Sequence, residues 1–197
     1  CTSFTGIYGN EESFKSLSGT ETPIIHIATH GFYLEPKDLK RVSYYKKMIT
    51  PNQTVKIDYD PMKRSGLILS GGNMAWRGNI ISPDIEDGVL TAEEIANLHL
   101  ENTELVVLSA CESGLGDLSS DGVMGIQRAF KNAGVQTLIM SLWKVDDDAT
   151  KLLMTEFYGN LLAGESKRQA FEKAKETVRK DARYSNPHYW AAFIMLD

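Results

Sequence analysis

The chain has 197 residues, of which 42% are hydrophobic and 24% are charged, and its formal net charge at pH 7 is −5. Such a composition supports one globular domain with a single core, and the acidic balance argues against a nucleic-acid-binding face, which normally carries a basic excess. No apolar run approaches the roughly 20 residues that a membrane span needs, so neither nucleic acid nor a membrane is an expected partner.

The first half of the sequence predicts one helix and two strands around an irregular stretch. Residues 11–18 predict a short helix, and Pro23 to Gly31 is a near-continuous apolar run that predicts a strand buried on both faces. Residues 33–65 are rich in Lys, Tyr and Pro without a sustained period, which indicates an irregular, partly exposed insertion. A short strand and a turn are predicted for residues 64–73.

The second half alternates between strands and helices. A capping box at Thr91 and Glu94 predicts a short helix that ends before His99. The predicted strands are residues 104–110, 136–143 and 189–196. The first predicted helix runs from about residue 122 to 133 with Asp121 as cap and Gly134 as stop. The second is capped by Asp147 or Asp148 and ends near Gly164, and the third opens at Ser166 with Ala170, Phe171, Ala174 and Val178 facing inward.

This alternation predicts an α/β fold of three layers, α/β/α, around a mostly parallel central sheet with right-handed crossovers. In such folds, functional groups gather at the carboxyl ends of the strands. The rule directs attention to residues 29–31, 110–112 and 143–148.

His30 and Cys111 each follow the end of a predicted buried strand. If those strands are neighbours, the imidazole can take the proton of the thiol, or stabilise the thiolate, and later protonate a leaving amine. Taken alone, such a cysteine is usually a small buried hydrophobe and such a histidine a surface or hydrogen-bonded residue. Their joint placement favours a catalytic pair.

Gly31 directly follows His30 and lacks a Cβ, so its backbone N–H can approach a substrate closely. Together with the N–H of Cys111 it could form an oxyanion hole. The alternative is that Gly31 only makes the turn after the strand.

The other candidate groups predict no further chemistry. His26 alternates into its strand and is expected in the core or an interface. The spacing of His, Cys, Asp and Glu predicts no metal site, and no glycine-rich segment has the phosphate-loop pattern, so no cofactor is expected. Two cysteines, Cys1 and Cys111, do not form a disulfide framework, and no signal peptide is visible, so we expect a reducing, cytoplasmic setting.

Six segments of the sequence, in chain order, resemble the CHAT domain, a caspase-like cysteine peptidase related to caspases, gingipains and separase. They are H-I-A-T-H-G-F (26–32), D-G-V-L-T-A-E-E-I-A (87–96), V-V-L-S-A-C-E-S-G-L-G (106–116), G-V-M-G-I-Q-R-A-F-K-N-A-G (122–134), S-L-W-K-V-D-D (141–147) and Y-W-A-A-F (189–193). The resemblance covers nearly the whole chain and implies a caspase-like fold with His30 as the catalytic histidine and Cys111 as the nucleophile.

The sequence also departs from the family pattern. Cys111 follows His30 by 81 residues, whereas the caspase signature places them about 50 apart. The first strand and helix of the family fold are missing or reduced to residues 1–10, and the helical repeats that commonly precede CHAT domains are not found. We therefore expect residues 1–197 to be one CHAT domain with an insertion at about 33–65, while the N-terminal part of the domain and any tetratricopeptide-like repeats lie outside this chain.

Three consecutive acids, Asp146 to Asp148, follow the strand that is predicted to end at Trp143. At least one is expected to cap the next helix, where the macrodipole favours acids. S-L-W-K-V-D-D also resembles the separase segment whose aspartate binds an arginine at P1, and Asp147 is the matching residue, with Asp146 as the alternate. A carboxylate there would favour Arg or Lys before the scissile bond.

The resemblance therefore predicts a cysteine endopeptidase that cleaves a protein partner after a basic residue, in bacterial regulated proteolysis or defence signalling. The alternative is a caspase-fold interaction or signalling module that no longer cuts, or that cuts only when a partner remodels it. A small-molecule hydrolase is a weaker hypothesis, because the sequence lacks a G-x-S-x-G elbow.

Overall fold

The computed structural model describes residues 1–34, 60–72, 86–109, 117–119 and 122–197. The helices within these ranges are α1 (Glu11–Lys15), α2 (Ala92–Ala96), α3 (Ile126–Asn132), α4 (Asp147–Leu162), α5 (Lys167–Lys180) and α6 (Pro187–Trp190). The strands are β1 (Ile24–Ile27), β2 (His30–Tyr33), β3 (Ser65–Ile68), β4 (Val89–Thr91), β5 (Leu105–Leu108), β6 (Asp117–Ser119), β7 (Gly122–Met124), β8 (Thr137–Ser141) and β9 (Phe193–Leu196). Two short 3-10 turns lie at Gly6–Tyr8 and Pro61–Lys63.

The main sheet contains four strands in the order β1-β5-β8-β9. β1, β5 and β8 run parallel, and β9 is antiparallel to β8. The prediction of a mostly parallel sheet is therefore confirmed. Because the parallel strands end at the same edge, their carboxyl ends lie together there, and the carboxyl end of β5 lies between those of β1 and β8.

Helices cover both faces of this sheet. Along β5 the side chains alternate: Val106 and Leu108 join the core beneath α2 and α3, whereas Leu105 and Val107 join the core beneath α4 and α5. All four are fully buried, as the apolar run predicted. The arrangement confirms the mixed α/β fold. None of the helices in the described ranges is long and apolar enough to cross a membrane.

β1 departs from the expectation of a strand buried on both faces. Ile25 and Ile27 belong to the core beneath α2 and α3, but Ile24 is 42% exposed and His26 also faces solvent. Among the described strands, β1 lies at an edge of the main sheet. The strand and its parallel sheet were predicted correctly and the burial wrongly, because an apolar run does not distinguish a central strand from an edge strand.

β2, β3 and β4 form a second, antiparallel sheet, of which the sequence predicted only β3. β2 begins at His30, three residues after β1 ends, so the chain passes directly from the main sheet into this one. In the central strand, a Cβ on Gly66 would lie 2.3 Å from the Leu90 carbonyl oxygen and 2.9 Å from the Phe32 ring. Glycine is required there because the neighbouring strands leave no room for a side chain.

The predicted insertion at 33–65 is described only at its two ends. Tyr33 is the last residue of β2, and residues 60–65 form a 3-10 turn and the start of β3. Residues 35–59 lie outside the described ranges.

Helix ends follow several of the predicted signals. Thr91 and Glu94 form the reciprocal capping box of α2, and Ser166 caps α5. Gly134 and Gly164 lie just beyond α3 and α4, as expected. The inward side chains predicted for α5 are buried, namely Ala170, Phe171, Ala174 and Val178.

The predicted start of α3 is wrong. Residues 122–124 form β7, which pairs with β6 in a hairpin, so the helix begins only at Ile126. The predicted cap, Asp121, lies outside the described residues and precedes a strand. Gly125 stands at the N-cap with a φ of 154°, a backbone conformation that favours glycine, and it separates the strand from the helix.

Two further boundaries differ from prediction. Asp146 caps α4, one residue before the first of the two predicted candidates. Residues 189–190 belong to α6, and the last strand begins only at Phe193. The reason for α6 lies just upstream, where Asn186 caps the turn and Pro187 occupies its first position.

Candidate active site

The carboxyl ends of β1 and β5 lie side by side. Ile27 and Leu108, the last residues of these strands, are direct partners in the parallel register. In the sequence, His30 follows Ile27 by three residues and Cys111 follows Leu108 by three residues. The topology therefore brings together the two strand ends after which the predicted pair follows in the sequence. Cys111 itself lies outside the described residues.

His30 is exposed and is the first residue of β2, opposite Ile68 of β3. The turn before it is fixed by Thr29, whose hydroxyl donates a hydrogen bond to the Ile68 carbonyl oxygen. Within the described part of the chain, no hydrogen bond or ion pair engages the His30 imidazole. The backbone is thus fixed while the ring remains available to a reactant. The sequence directed attention to the segment that contains Thr29 but predicted no role for its hydroxyl.

The backbone N–H of Gly31 takes no part in the ladder between β2 and β3. Leu34 N donates to the Arg64 carbonyl oxygen at 2.8 Å, which identifies that pair as hydrogen-bonded. Because such pairs alternate along an antiparallel ladder, the pair of His30 with Ile68 is also hydrogen-bonded, and Gly31 falls between two such positions. Its N–H therefore points away from β3 and can donate to a group outside the sheet.

Three acids begin α4, beyond the carboxyl end of β8. Asp146 is the N-cap: its Oδ1 accepts from the N–H groups of Asp148 and Ala149 at 3.0 and 3.1 Å. Asp147 and Asp148 occupy the first turn, and all three acidic side chains are exposed. Asp148 interacts electrostatically with Arg183. Since Asp146 holds the helix start and Asp148 faces a cation, Asp147 is the acid least engaged by the described residues.

The segment between β8 and these acids packs against α6. Trp143 Nε1 donates to the His188 carbonyl oxygen at 3.0 Å, and the indole stacks on the His188 imidazole with ring centroids 6.0 Å apart. Leu142 N donates to the Ala192 carbonyl oxygen at 2.9 Å. These contacts hold the turn that leads into α4, so the acids follow a well-packed segment.

His26 is not a core residue, contrary to one of the two expectations for it. It is exposed on β1, with Nε2 2.8 Å from Ser109 Oγ and Nδ1 3.1 Å from the Tyr158 hydroxyl. Desolvation lowers the pKa of His26 and raises the pKa of Tyr158 to about 12, so both side chains are neutral at pH 7. The alternation of H-I-A-T-H was the available signal, since it separates His26 from the buried face of Ile25.

A second polar cluster surrounds the ammonium group of Lys15. Its Nζ lies 2.7 Å from Glu11 Oε1, 2.9 Å from Glu86 Oε2 and 3.0 Å from Glu94 Oε1. Burial raises the pKa of Glu11 to about 7. The three carboxylates are close enough together to share a metal ion, but the ammonium already lies among them and supplies the opposing positive charge. The sequence did not predict this cluster, because Glu86 and Glu94 are far along the chain from Glu11 and Lys15.

A mostly parallel sheet with helices on both faces, and with His30 just beyond the carboxyl end of β1, forms an α/β domain that is consistent with a caspase-like fold. The chain belongs to the CHAT domain family, whose sequence model matches residues 2–197. The resemblance carried by the six segments is thereby confirmed.

Among curated proteins, the chain is similar to Tetratricopeptide repeat protein 28 from Homo sapiens, with 33% identity over 114 residues. It is also similar to the protein of the same name from Mus musculus, with 32% identity over 114 residues. Each alignment covers 58% of this chain but only 5% of the relative, so the chain spans a small part of the curated proteins it matches.

Proposed function

We propose that this chain is a cysteine endopeptidase of the CHAT type, with Cys111 as nucleophile and His30 as general base. The observation that carries the proposal is the register pair of Ile27 and Leu108, because His30 and Cys111 follow these adjacent strand ends at the same spacing. Membership of a caspase-like family supports the same class of reaction.

In the proposed reaction, Cys111 Sγ gives its proton to His30 and attacks the carbonyl carbon of the scissile peptide bond. The backbone N–H groups of Gly31 and Cys111 stabilise the oxyanion of the tetrahedral intermediate. His30 then protonates the leaving nitrogen as the C–N bond breaks, which leaves a thioester on Cys111. A water molecule, deprotonated by His30, hydrolyses the thioester and regenerates the thiol.

The proposed substrate is a protein with Arg or Lys at P1. Asp147, at the start of α4, would receive the basic side chain through charge-assisted hydrogen bonds. The order β1-β5-β8 supports this role, since the carboxyl end of β5, after which Cys111 follows in the sequence, lies between the ends of β1 and β8. Asp146 is the alternate, although one of its carboxylate oxygens already caps the helix.

The test is cleavage of peptides that carry Arg, Lys, Asp, Asn or Met at P1. We expect cleavage after Arg and Lys, and no turnover by Cys111→Ala or His30→Ala. The chain offers a matched control in its other cysteine, because Cys1 is an exposed free thiol and Cys1→Ala should leave the rate unchanged. Cleavage of no peptide, or equal cleavage by Cys111→Ala, would overturn the proposal.

A second candidate function is a caspase-fold interaction module that is silent until a partner remodels it. It is favoured by the exposed His30 ring, which no described residue orients. Alkylation of Cys111 separates the two candidates without a substrate. A thiol activated by His30 reacts at a pH well below the ordinary thiol pKa of about 8.5, whereas the thiol of a silent module does not.

We further propose that residues 1–197 act as one domain with an insertion at about 33–65, in association with helical repeats. The name of the human and mouse relatives supports this association, since it reports tetratricopeptide repeats in those proteins. The cytoplasmic location and the role in bacterial regulated proteolysis or defence stay predictions from the sequence.

A further inference from the structure

The His26 imidazole joins three secondary-structure elements of the described fold. It stands on β1, its Nε2 is 2.8 Å from Ser109 Oγ at the end of β5, and its Nδ1 is 3.1 Å from the Tyr158 hydroxyl on α4. Both distances are those of good hydrogen bonds. A neutral imidazole has one donor and one acceptor nitrogen, and both hydroxyls can take either role. Both hydrogen bonds of His26 can therefore form in either tautomer.

Ser109 is bound to β1 twice. Its backbone N–H donates to the Ile27 carbonyl oxygen at 2.9 Å, continuing the parallel ladder, while its hydroxyl contacts His26. Ser109 lies two residues before Cys111, and His26 lies four residues before His30. The side-chain bond therefore ties the two strands together just below the segments that carry the proposed nucleophile and base.

Tyr158 extends the link to α4. This helix of 16 residues begins with Asp147, the acid proposed to bind the P1 side chain. The Tyr158 ring also packs on the His26 imidazole, with ring centroids 5.7 Å apart. Because a helix moves largely as a rigid body, a contact on its side restrains the position of its first turn as well.

The surroundings of His26 indicate that it orients the neighbouring elements and that filling a hydrophobic core is not its role. Ile24, its neighbour on the same face of the edge strand β1, is 42% exposed, and His26 belongs to neither of the two hydrophobic cores. Two hydrogen bonds from one rigid ring fix the relative positions of β1, β5 and α4. Each of these elements leads to one of the residues proposed for catalysis or specificity.

We propose that His26 is a positioning residue, which holds the ends of β1 and β5 and the helix α4 in the arrangement that the Cys111–His30 pair requires. The inference rests on the proposed function. His26 takes no proton from the substrate or the thiol; it acts through Ser109 and Tyr158.

The test uses His26→Ala, Ser109→Ala and Tyr158→Phe in the full chain carrying Cys1→Ala, so that Cys111 is the one remaining thiol. One readout is kcat and KM on a peptide with Arg at P1. We expect kcat to fall roughly tenfold to a hundredfold, as for a small misplacement of reacting groups, with KM little changed. Ser109→Thr retains a hydroxyl and should restore most of kcat.

The second readout needs no substrate: the rate of Cys111 alkylation by iodoacetamide is measured between about pH 5 and pH 10. In the three variants the apparent thiol pKa should move toward the ordinary value of about 8.5. Ile24→Ala, on the same face of β1, and Tyr8→Phe, an exposed tyrosine, are the controls and should match the parent. Thermal unfolding of each variant identifies any that fail to fold, and Tyr158→Phe carries the test if His26→Ala does not fold.

The outcomes distinguish the two proposals. A parent chain that cleaves no peptide and alkylates as an ordinary thiol overturns the proposed function and, with it, the role of His26. Cleavage by the parent with unchanged kcat and alkylation profile in all three variants overturns the positioning role alone. Loss of kcat that tracks thermal stability equally in Ile24→Ala and in the hydroxyl variants also overturns it, since a structural role would explain that result.

Discussion

Gly31 and Leu67 face each other across a non-hydrogen-bonded pair of the β2–β3 ladder. The consequence is that the Gly31 N–H points outward from β2, four residues beyond the end of β1 and next to His30. A backbone donor without a ladder partner, beside the proposed general base, is what an oxyanion hole needs. The relationship also makes the donor removable, because no bond between β2 and β3 depends on it.

Gly31→Pro should therefore abolish most of the activity while preserving the fold. Proline removes the N–H, and it is tolerated in an edge strand where the missing N–H faces away from the ladder. We expect kcat to fall by about two to three orders of magnitude, as for loss of one oxyanion-hole donor. The measurement is kcat on a basic P1 peptide, together with thermal unfolding.

Tyr33→Pro is the matched control for this substitution. Tyr33 lies two residues further along β2, opposite Ser65, so its N–H also points away from β3. The control introduces the same ring into the same strand and should keep its kcat. An equal loss in both variants would show that proline damages the strand and would remove the oxyanion role of Gly31.

Thr29→Val should lower both stability and kcat by modest amounts. The change keeps the shape of the side chain but removes the hydroxyl that donates to the Ile68 carbonyl oxygen. Loss of one such hydrogen bond costs about 1 kcal/mol in the free energy of unfolding. We expect kcat to fall as well, since the bond fixes the turn that carries His30. Thr29→Ser keeps the hydroxyl and should retain both, whereas a normal kcat in Thr29→Val would contradict the argument.

The parallel sheet could be predicted from the sequence because its central strands consist of continuous apolar runs. Leu105 to Leu108 is such a run, and its burial on both faces followed directly. The run at β1 is similar in composition, yet Ile24 is exposed. Whether a strand lies at the edge or the centre of a sheet depends on which strands pair with it, and its own sequence does not determine this. The β6–β7 hairpin was missed for a related reason, since two strands of three residues are too short to show a period.

The position of His30 just beyond a strand end was predictable, because an apolar run shows where a buried strand ends, whereas its catalytic role stays a prediction. Contacts that join distant segments of the chain were not predictable, as for His26 with Tyr158 or Lys15 with Glu86. Asp146 to Asp148 show that sequence is also insufficient over a short range. By residue type, each of these three aspartates is an equally good helix cap. Only the backbone showed that Asp146 is the residue that caps α4.

Of the acids at the start of α4, Asp146 should contribute to stability and Asp147 to the choice of the P1 residue. Asp146→Ala removes the cap and should lower the free energy of unfolding by about 1 kcal/mol. Asp147→Arg should lower the free energy of unfolding by no more than about 1 kcal/mol, because the macrodipole favours an acid in this turn, and it should remove the preference for Arg and Lys at P1. Asp148→Arg places the same charge change one residue away and serves as control. Unchanged P1 preference in Asp147→Arg would exclude this residue from the specificity site.

Glu11 should make the protein less stable as the pH rises toward neutral. Its side chain is 1% exposed, and burial raises its pKa from 4.5 to about 7 despite the nearby Lys15 ammonium. The folded state therefore binds this proton more tightly than the unfolded state. The resulting stabilisation is fully present below pH 4.5 and is lost as the pH rises through about 7. The full change is on the order of 3 kcal/mol.

Glu11→Gln isolates this effect, because glutamine fills the same space and can still accept the hydrogen bond that the Gly88 N–H donates to Glu11 Oε2 at 3.0 Å. The variant cannot ionise, so its free energy of unfolding, measured by urea denaturation across this pH range, should fall less steeply than that of the parent. Lys15 keeps two carboxylate partners, Glu86 and Glu94, so the cluster retains two of its three ion pairs. Glu12→Gln changes an exposed neighbour and should keep the slope of the parent. Identical slopes for the parent and Glu11→Gln would mean that the Lys15 ion pair holds Glu11 ionised in the folded protein, and that burial does not decide its charge.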